Sequence, residues 1–341
     1  MGKIEIDHTG SGGGITLSSD GTSLLLDGSA VGGSALELYA ENPSSPTAPS
    51  ATGSNAVAIG NDAVASNADS VSIGSYSDAT GSGAIALGTL AQAVATRSAA
   101  VGKSYAGGTD SFAGGIGYNT STYGTGGSGA VALGLQSKAS AAYSSAMGRS
   151  NVASNTGALA LGYGSTASGT DSVAIGYVNT ASQQDSFAIG RYALSNIIGK
   201  LAYGSDRFAA TGDAQGGQFI LRAATTDATA TVLTTNNSTA GSTNQIVAAS
   251  DTCIMFSGTI VAMQNGAQDQ GGWEIKGLLK NDGGTTTLVS SNIQTFAAGN
   301  GWTVALSADN TNNALAITCT GEAAHNIRWV ANISTSEVTY A

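Results

Sequence analysis

Proline is nearly missing from this chain. Three of its 341 residues are proline, and all of them, Pro43, Pro46 and Pro49, fall between residues 42 and 50. With 49 glycines and so little proline, a collagen helix is excluded. Charge is scarce as well: Asp, Glu, Lys and Arg make up 10% of the residues, against a typical ~25%, so the chain lacks the charge-rich composition of a disordered protein. Cysteine is limited to Cys253 and Cys319. Their spacing fits no metal-ligand pattern and both lie in apolar runs, which reads as two buried free thiols. No apolar run reaches the ~18–20 residues of a membrane span. The start, Met1 to His8, has no hydrophobic signal core. Membrane insertion is therefore not expected, and synthesis in a cytoplasm is.

Residues that carry chemistry are equally thin. The histidines are His8 and His325, and neither has neighbours that suggest a ligand set. The serines lie in no Gly-x-Ser-x-Gly stretch between a strand and a helix. Asp62, Asp69, Asp78, Asp110, Asp171 and Asp185 fall in or beside expected turns. Asp171 and Asp185 could stack as a carboxylate pair of the kind glycan hydrolases use, but read as solvated turn residues. No Ca²⁺-binding nonapeptide repeat is present. No catalytic residue, metal or cofactor is therefore expected. The 12 basic side chains are outnumbered by 22 acidic ones, for a net charge of −10. No basic patch stands out along the chain, which disfavours nucleic acid as a partner.

What the chain does have is a repeat. A short run ending in glycine recurs, as in Ala56-Val-Ala-Ile-Gly60, Ser70-Val-Ser-Ile-Gly74, Ala84-Ile-Ala-Leu-Gly88, Ala158-Leu-Ala-Leu-Gly162 and Ser172-Val-Ala-Ile-Gly176. Gly60, Gly74, Gly88 and Gly102 follow one another at a constant step of fourteen. Gly134, Gly148, Gly162, Gly176 and Gly190 keep the same step. Gly117 fits between the two series as a tenth copy, at a slightly longer interval on either side. Five positions after each glycine stands a small residue, such as Ala65, Ala79, Gly107, Thr122 or Ala167. Each unit reads as strand, glycine turn, strand, polar turn, which is one coil of a β-solenoid. Alternation within the first strand, as at Val57 and Ile59, has the two-residue strand period. One wall of the coil is then Val, Ile or Leu and the other mostly Ala. Ten coils at roughly 4.8 Å each make a rod of about 45–50 Å. So thin a roll would gain from lateral copies of itself.

The pattern Ser-Val-Ala-Ile-Gly-x-x-x-x-Ala resembles the YadA-like head repeat of trimeric autotransporter adhesins, which also occurs in phage fibre proteins. The resemblance spans roughly residues 52–197. It implies a left-handed parallel β-roll packed as a homotrimer; periodicity by itself gives neither the hand nor the number.

Outside the repeats, residues 1–41 hold a hairpin signal, Asp20-Gly21, between Ile15-Thr-Leu17 and Leu24-Leu-Leu26. Ile15, Leu17, Leu24, Leu25 and Leu26 are candidate docking residues on other virion proteins. This segment resembles N-terminal peptides of virion structural proteins of marine cyanophages and their relatives. Residues 42–51 read as an extended linker. Residues 198–341 read as an antiparallel sandwich or jelly roll. Its expected strands are 218–222, 231–233, 253–264, 272–280, 285–291, 302–307, 314–319 and 327–333. From Gly212 onward, Phe219-Ile-Leu-Arg-Ala, Phe256-Ser-Gly-Thr and Asn326-Ile-Arg-Trp-Val resemble a C-terminal domain of phage tail-fibre and other virion proteins.

Eight of the 11 tyrosines lie between Tyr76 and Tyr192. Tyr118, Tyr163 and Tyr177 each follow a repeat glycine, and Tyr163 and Tyr177 are one period apart. They are candidate binding residues for a host-surface glycan, because tyrosine offers a flat apolar face with a polar tip. A structural ladder along a turn column or trimer seam is the alternative. The irregular coils around residues 107–129 are either a bulging contact site or drifted repeats. The expected whole is an all-β virion fibre, a phage tail fibre attaching to a host cell through several weak contacts at once. The alternatives are a decorating or adaptor protein without receptor binding, a bacterial trimeric adhesin, which would need a signal peptide and membrane anchor, and a spike glycan hydrolase.

Overall fold

The computed structural model describes residues 47–266 and 269–340, together with four strands before them. These are β1 (Ile4–Ile6), β2 (Ile15–Ser19), β3 (Leu24–Leu26) and β4 (Ser29–Ala30), which pair antiparallel in that order. Ile15 and Leu17 thus lie on β2 and Leu24, Leu25 and Leu26 on β3, with Leu17 opposite Leu26. His8, the Asp20-Gly21 turn and residues 42–46 of the expected linker lie outside the described residues.

A parallel β-solenoid opens with β5 (Ser50–Ala51) and β6 (Val57–Ile59) and closes with β25 (Leu194–Ser195) and β26 (Leu201–Gly204). The two-residue strands stack into an 11-stranded sheet, and the longer ones into a second sheet facing it. No helix occurs among the described residues. Register follows the sequence period: Val57 stands beside Val71, and Val173 beside Phe187. The glycine column has a steric cause. Gly162 and Gly176 have φ of 116° and 123°, and a Cβ on Gly162 would run into the carbonyl of Gly176 in the next coil.

The structure turns the expected walls inside out. Ala86, Ala160, Ala174 and Ala188, from the middle of the glycine-ended strands, are fully buried against Ala93, Ala153, Ala167 and Ala181 of the other sheet. The flanking Val, Ile and Leu face outward, with Val57 41%, Ile85 40%, Leu161 40% and Phe187 40% exposed. A coil this short encloses so little volume that methyl and hydroxyl groups fill it, so branched side chains take the outer face.

One column of corners is closed by buried amides. Asn179 Nδ2 donates to the carbonyls of Ile175 (2.7 Å) and Gly190 (2.8 Å), while Oδ1 accepts from the Ala193 N–H (2.8 Å). Asn151 does the same two coils earlier.

The irregular coil needs two corrections. Val101 pairs with Gly114 and Gly114 with Leu133, so Gly115, not Gly117, holds the repeat position. The buried small residues there are Ala106 and Thr125, not Gly107 and Thr122. One coil is therefore a residue short, and the next carries the excess in a loop over residues 116–122. The solenoid keeps register on both sides because the loop leaves at a corner.

The second region continues the same sheet. β26 pairs antiparallel with β27 (Ala214–Thr225), and the order runs on through β35 (Ile327–Thr339), β30 (Thr252–Gln264), β31 (Gln270–Asp282) and β32 (Thr285–Ala297). A smaller antiparallel sheet packs on one face: β33 (Thr303–Asp309) and β34 (Ala314–Thr320), with β28 (Thr231–Val232) and β29 (Ile246–Val247). Alternating burial along β27 and β35 gives each strand one core face and one exposed face. The core holds Phe219, Phe256, Trp273, Trp302, Ile317 and Trp329. Trp273 and Trp302 lie 5.4 and 5.6 Å from Trp329, ring centre to ring centre. The result is a two-layer sandwich. Both cysteines are free; Cys319 is buried, but Cys253 points to the outer face and is only half-buried.

The two regions are locked together at the junction. Ile197 of the last coil joins the sandwich core. Lys200 occupies the slot that Ser172 and Ser186 fill in earlier coils, and its Nζ lies 2.7 Å from Glu337 Oε2 with both side chains buried. Gln215 Nε2 and Thr335 Oγ1 donate to the same carboxylate. The last coil is tied again at Leu194, whose N–H and carbonyl bond the Gln215 amide.

Candidate functional site

The long sheet presents one continuous outer face, and its glycine-ended strands set what stands there. In β22 (Val173–Tyr177) alternation sends Val173, Ile175 and Tyr177 outward and Ala174 inward. β20 (Leu159–Tyr163) does the same, so Tyr163 and Tyr177 fall in register. Their rings stack at 5.0 Å with 10° between planes. Arg149 pairs with Tyr163 in the coil before and lies over its ring at 5.4 Å. Arg191 pairs with Tyr177 in the coil after and lies over its ring at 4.6 Å. The column therefore reads Arg149, Tyr163, Tyr177, Arg191. Tyr192 meets Tyr177 edge-on at 5.4 Å, and Arg207 lies 3.9 Å above Tyr192. Contact with the Tyr192 hydroxyl holds the Tyr177 phenol above its ordinary pKa; burial and Tyr163 add to this and Arg191 opposes it.

This geometry changes the role of the tyrosines. The ring faces of Tyr163 and Tyr177 are covered by one another and by guanidinium groups, so neither offers a free face to a sugar. They form a ladder, worth about 0.5–1.5 kcal/mol per aromatic contact. Tyr118 stands outside the ladder, because it does not follow a repeat glycine. It stands in the loop over residues 116–122, 5.1 Å from the Tyr123 ring. Sequence reading also missed the arginines. Scattered along the chain they form no run, yet the fold gathers Arg149, Arg191 and Arg207 with three tyrosines on one face of an acidic protein. Asp206, 3.8 Å from Arg191, is the acidic side chain nearest them.

Beside this ladder, at the junction of roll and sandwich, a cavity of about 660 Å³ opens on the outer face. Tyr203, Phe208, Met255 and Leu278 line it, with Gln215 and Glu337 in its wall. Tyr203 and Phe208 are 60% and 81% exposed. The loop carrying Phe208 is held by the buried Asp213, whose carboxylate accepts the N–H groups of Phe208, Ala209 and Ala210. Burial pushes the Asp213 pKa up, but the three backbone donors and Arg207 outweigh it and leave the group below its ordinary value.

Nothing catalytic assembles among the described residues. No group of three His, Cys, Asp or Glu side chains is placed to hold a metal. Asp62, Asp69, Asp110, Asp171 and Asp185 have left-handed backbone at tight corners (Asp171 φ 54°, Asp185 φ 55°). Asp110 is engaged by Arg97 at 2.6 Å. Asp78 lies in a strand instead of a turn and accepts from Gln92. His325 Nδ1 is 3.3 Å from Glu322, off the hydrogen-bond direction. The Cys319 thiol, pushed up to about 12 by burial, is inert.

Residues 51–77, 79–104, 126–151, 153–179 and 167–193 match the YadA head domain repeat, which covers the roll except for its irregular coil and its last turn. No curated protein matches the chain significantly. The roll is thus built of head repeats of the YadA type.

Proposed function

We propose that the chain is one subunit of a homotrimeric virion fibre that attaches to a host cell by multivalent binding. One observation carries the assembly: the outer face of the roll bears Val57, Ile85, Leu161 and Phe187 about two-fifths exposed, as a stripe along the stacked coils. A long apolar stripe on a rod calls for lateral partners, and the YadA head match supports three. The resemblance of the segments on either side of the roll to virion proteins supports placement on a particle. In this reading residues 1–41, with Ile15, Leu17 and Leu24 to Leu26, dock on other virion proteins, the roll spaces, and the sandwich caps the rod and faces the host. Three weak sites on one rod gain avidity through effective concentration.

The test has two steps. Sedimentation of purified protein gives a trimer, and Leu161→Asp with Ile175→Asp yields a folded smaller species. The trimer, added to host cells before the parent phage, then lowers adsorption. A well-folded trimer that neither binds cells nor blocks adsorption moves the assignment to a decorating or adaptor protein. The YadA head match also favours a bacterial trimeric adhesin; antibody labelling of bacterial surfaces with no label on particles would decide for it.

A further inference from the structure

We propose that the junction cavity, together with Arg191 and Arg207 next to its lining residues Ser205 and Phe208, is a binding site for an acidic glycan. The inference rests on the attachment reading and names the ligand class that reading leaves open. Two independent features meet here. The first is a pair of exposed aromatic rings. Among the described residues no aromatic or cationic group stacks on Tyr203 or Phe208, in contrast to Tyr163 and Tyr177. The cavity they line, about 660 Å³, lies within the ~300–1,000 Å³ of ligand clefts. A pyranose lays its C–H face on such a ring while its hydroxyls reach polar groups in the wall.

The second feature is charge. Gly190 pairs with Gly204, so Arg191 stands beside Ser205, which lines the cavity. Arg207 precedes Phe208 in the chain. Both guanidiniums are pre-set by rings: Arg191 over Tyr177 and Arg207 over Tyr192. Stacking leaves the in-plane N–H groups free to take a carboxylate or sulfate side-on. The acids nearby are already engaged. Glu337 is neutralised by Lys200 at 2.7 Å, the buried Asp213 carboxylate is turned onto three backbone N–H groups, and Asp206 lies 3.8 Å from Arg191. On the far side Lys280 is held by Asp282 at 2.6 Å. With a net charge of −10, the rest of the protein repels polyanions, so an anion that binds does so at a built position and not by general attraction.

The experiment titrates the intact oligomer with three hexasaccharides: an oligogalacturonate, a heparin-derived sulfated chain and neutral cellohexaose. One or both acidic chains bind, more weakly as salt rises, and the neutral chain binds at least about tenfold more weakly. Which acidic chain binds separates carboxylate from sulfate. Arg207→Gln and Phe208→Ala, both at exposed positions, each weaken binding about tenfold or more, while Tyr143→Asn, on an exposed corner elsewhere, does not. Equal binding of the neutral chain, no binding of either acidic chain, or unchanged affinity in both variants overturns the proposal. A change of assembly state in Phe208→Ala overturns it too, because the cavity would then seat a neighbouring copy. If the two variants still block phage adsorption, this site falls and the attachment reading stands. If the protein binds acidic glycan but never blocks adsorption, the site stands and the attachment reading falls.

Discussion

The roll and the sandwich share one sheet but are held together by opposite means. The roll has a core of alanine methyls and serine hydroxyls, short strands, and, apart from the buried Ile116 and Ile197, its large apolar side chains facing outward. The sandwich has long strands over three tryptophans and two phenylalanines, all inside. An alanine core buries little apolar area per residue, so the roll relies on coil-to-coil hydrogen bonds and corner amides. The sandwich supplies its own hydrophobic stabilisation. One continuous sheet can therefore pass from a region whose stability is communal to one whose stability is its own.

The largest effect is expected inside the sandwich. Trp329→Ala removes the ring between Trp273 and Trp302 and the hydrogen bond to Thr225, and lowers stability by about 3–5 kcal/mol. Urea unfolding followed by circular dichroism reads the loss, and amide exchange in coils far from the junction stays unchanged if the two regions are as independent as their cores suggest. Glu337→Gln follows at the boundary. It leaves the Lys200 ammonium buried without its counter-charge, a loss of up to about 3–5 kcal/mol, and raises exchange on both sides of the junction. A combined Lys200→Met and Glu337→Gln variant recovers part of the stability.

Inside the roll, effects are smaller and spread along the axis. Asn179→Ala orphans two carbonyls and one N–H and costs about 1–3 kcal/mol; protection is lost in its own coil and the two beside it. The smallest effect is acidification. The Asp213 carboxylate titrates below its ordinary value in the fold. Its contribution is therefore fully present above the unfolded value of about 3.9 and is lost as pH falls from there through the lowered value. Exchange at Phe208, Ala209 and Ala210 should rise over that window and be high at neutral pH in Asp213→Asn.

The solenoid was legible because its signal is repeated. The spacing from Gly134 to Gly190 specifies coil length, and pairings such as Val173 with Phe187 follow it residue for residue. In the sandwich, turn residues and apolar runs placed eight strands, and the ninth, the two-residue Ile246–Val247, was missed. What the period could not say is which of its two faces is inside. Alternation at Val57, Ala58 and Ile59 fits either choice, and hydrophobicity favours the wrong one; only the small volume enclosed by a coil decides for alanine. The site was harder still. Tyr163 and Tyr177 were found from spacing, but Arg149, Arg191 and Arg207 meet only through register. Tyr203 and Phe208 border a cavity whose other wall, with Met255, Leu278 and Glu337, comes from far later in the chain.

The corner loop over residues 116–122 has a consequence for how such a rod can change. The shortened coil, the lengthened coil and the regular coils all advance the rod by the same step, because only the strands set the rise. Chain length and rod length are thereby uncoupled at corners. Foreign peptide spliced beyond the buried Ile116, between Tyr118 and Thr122, should leave both ends of the rod in place, while duplicating or deleting whole coils should move the tip in increments of about 4.8 Å. The molecule is a graduated pole with room for ornaments, and the two kinds of edit leave separate marks.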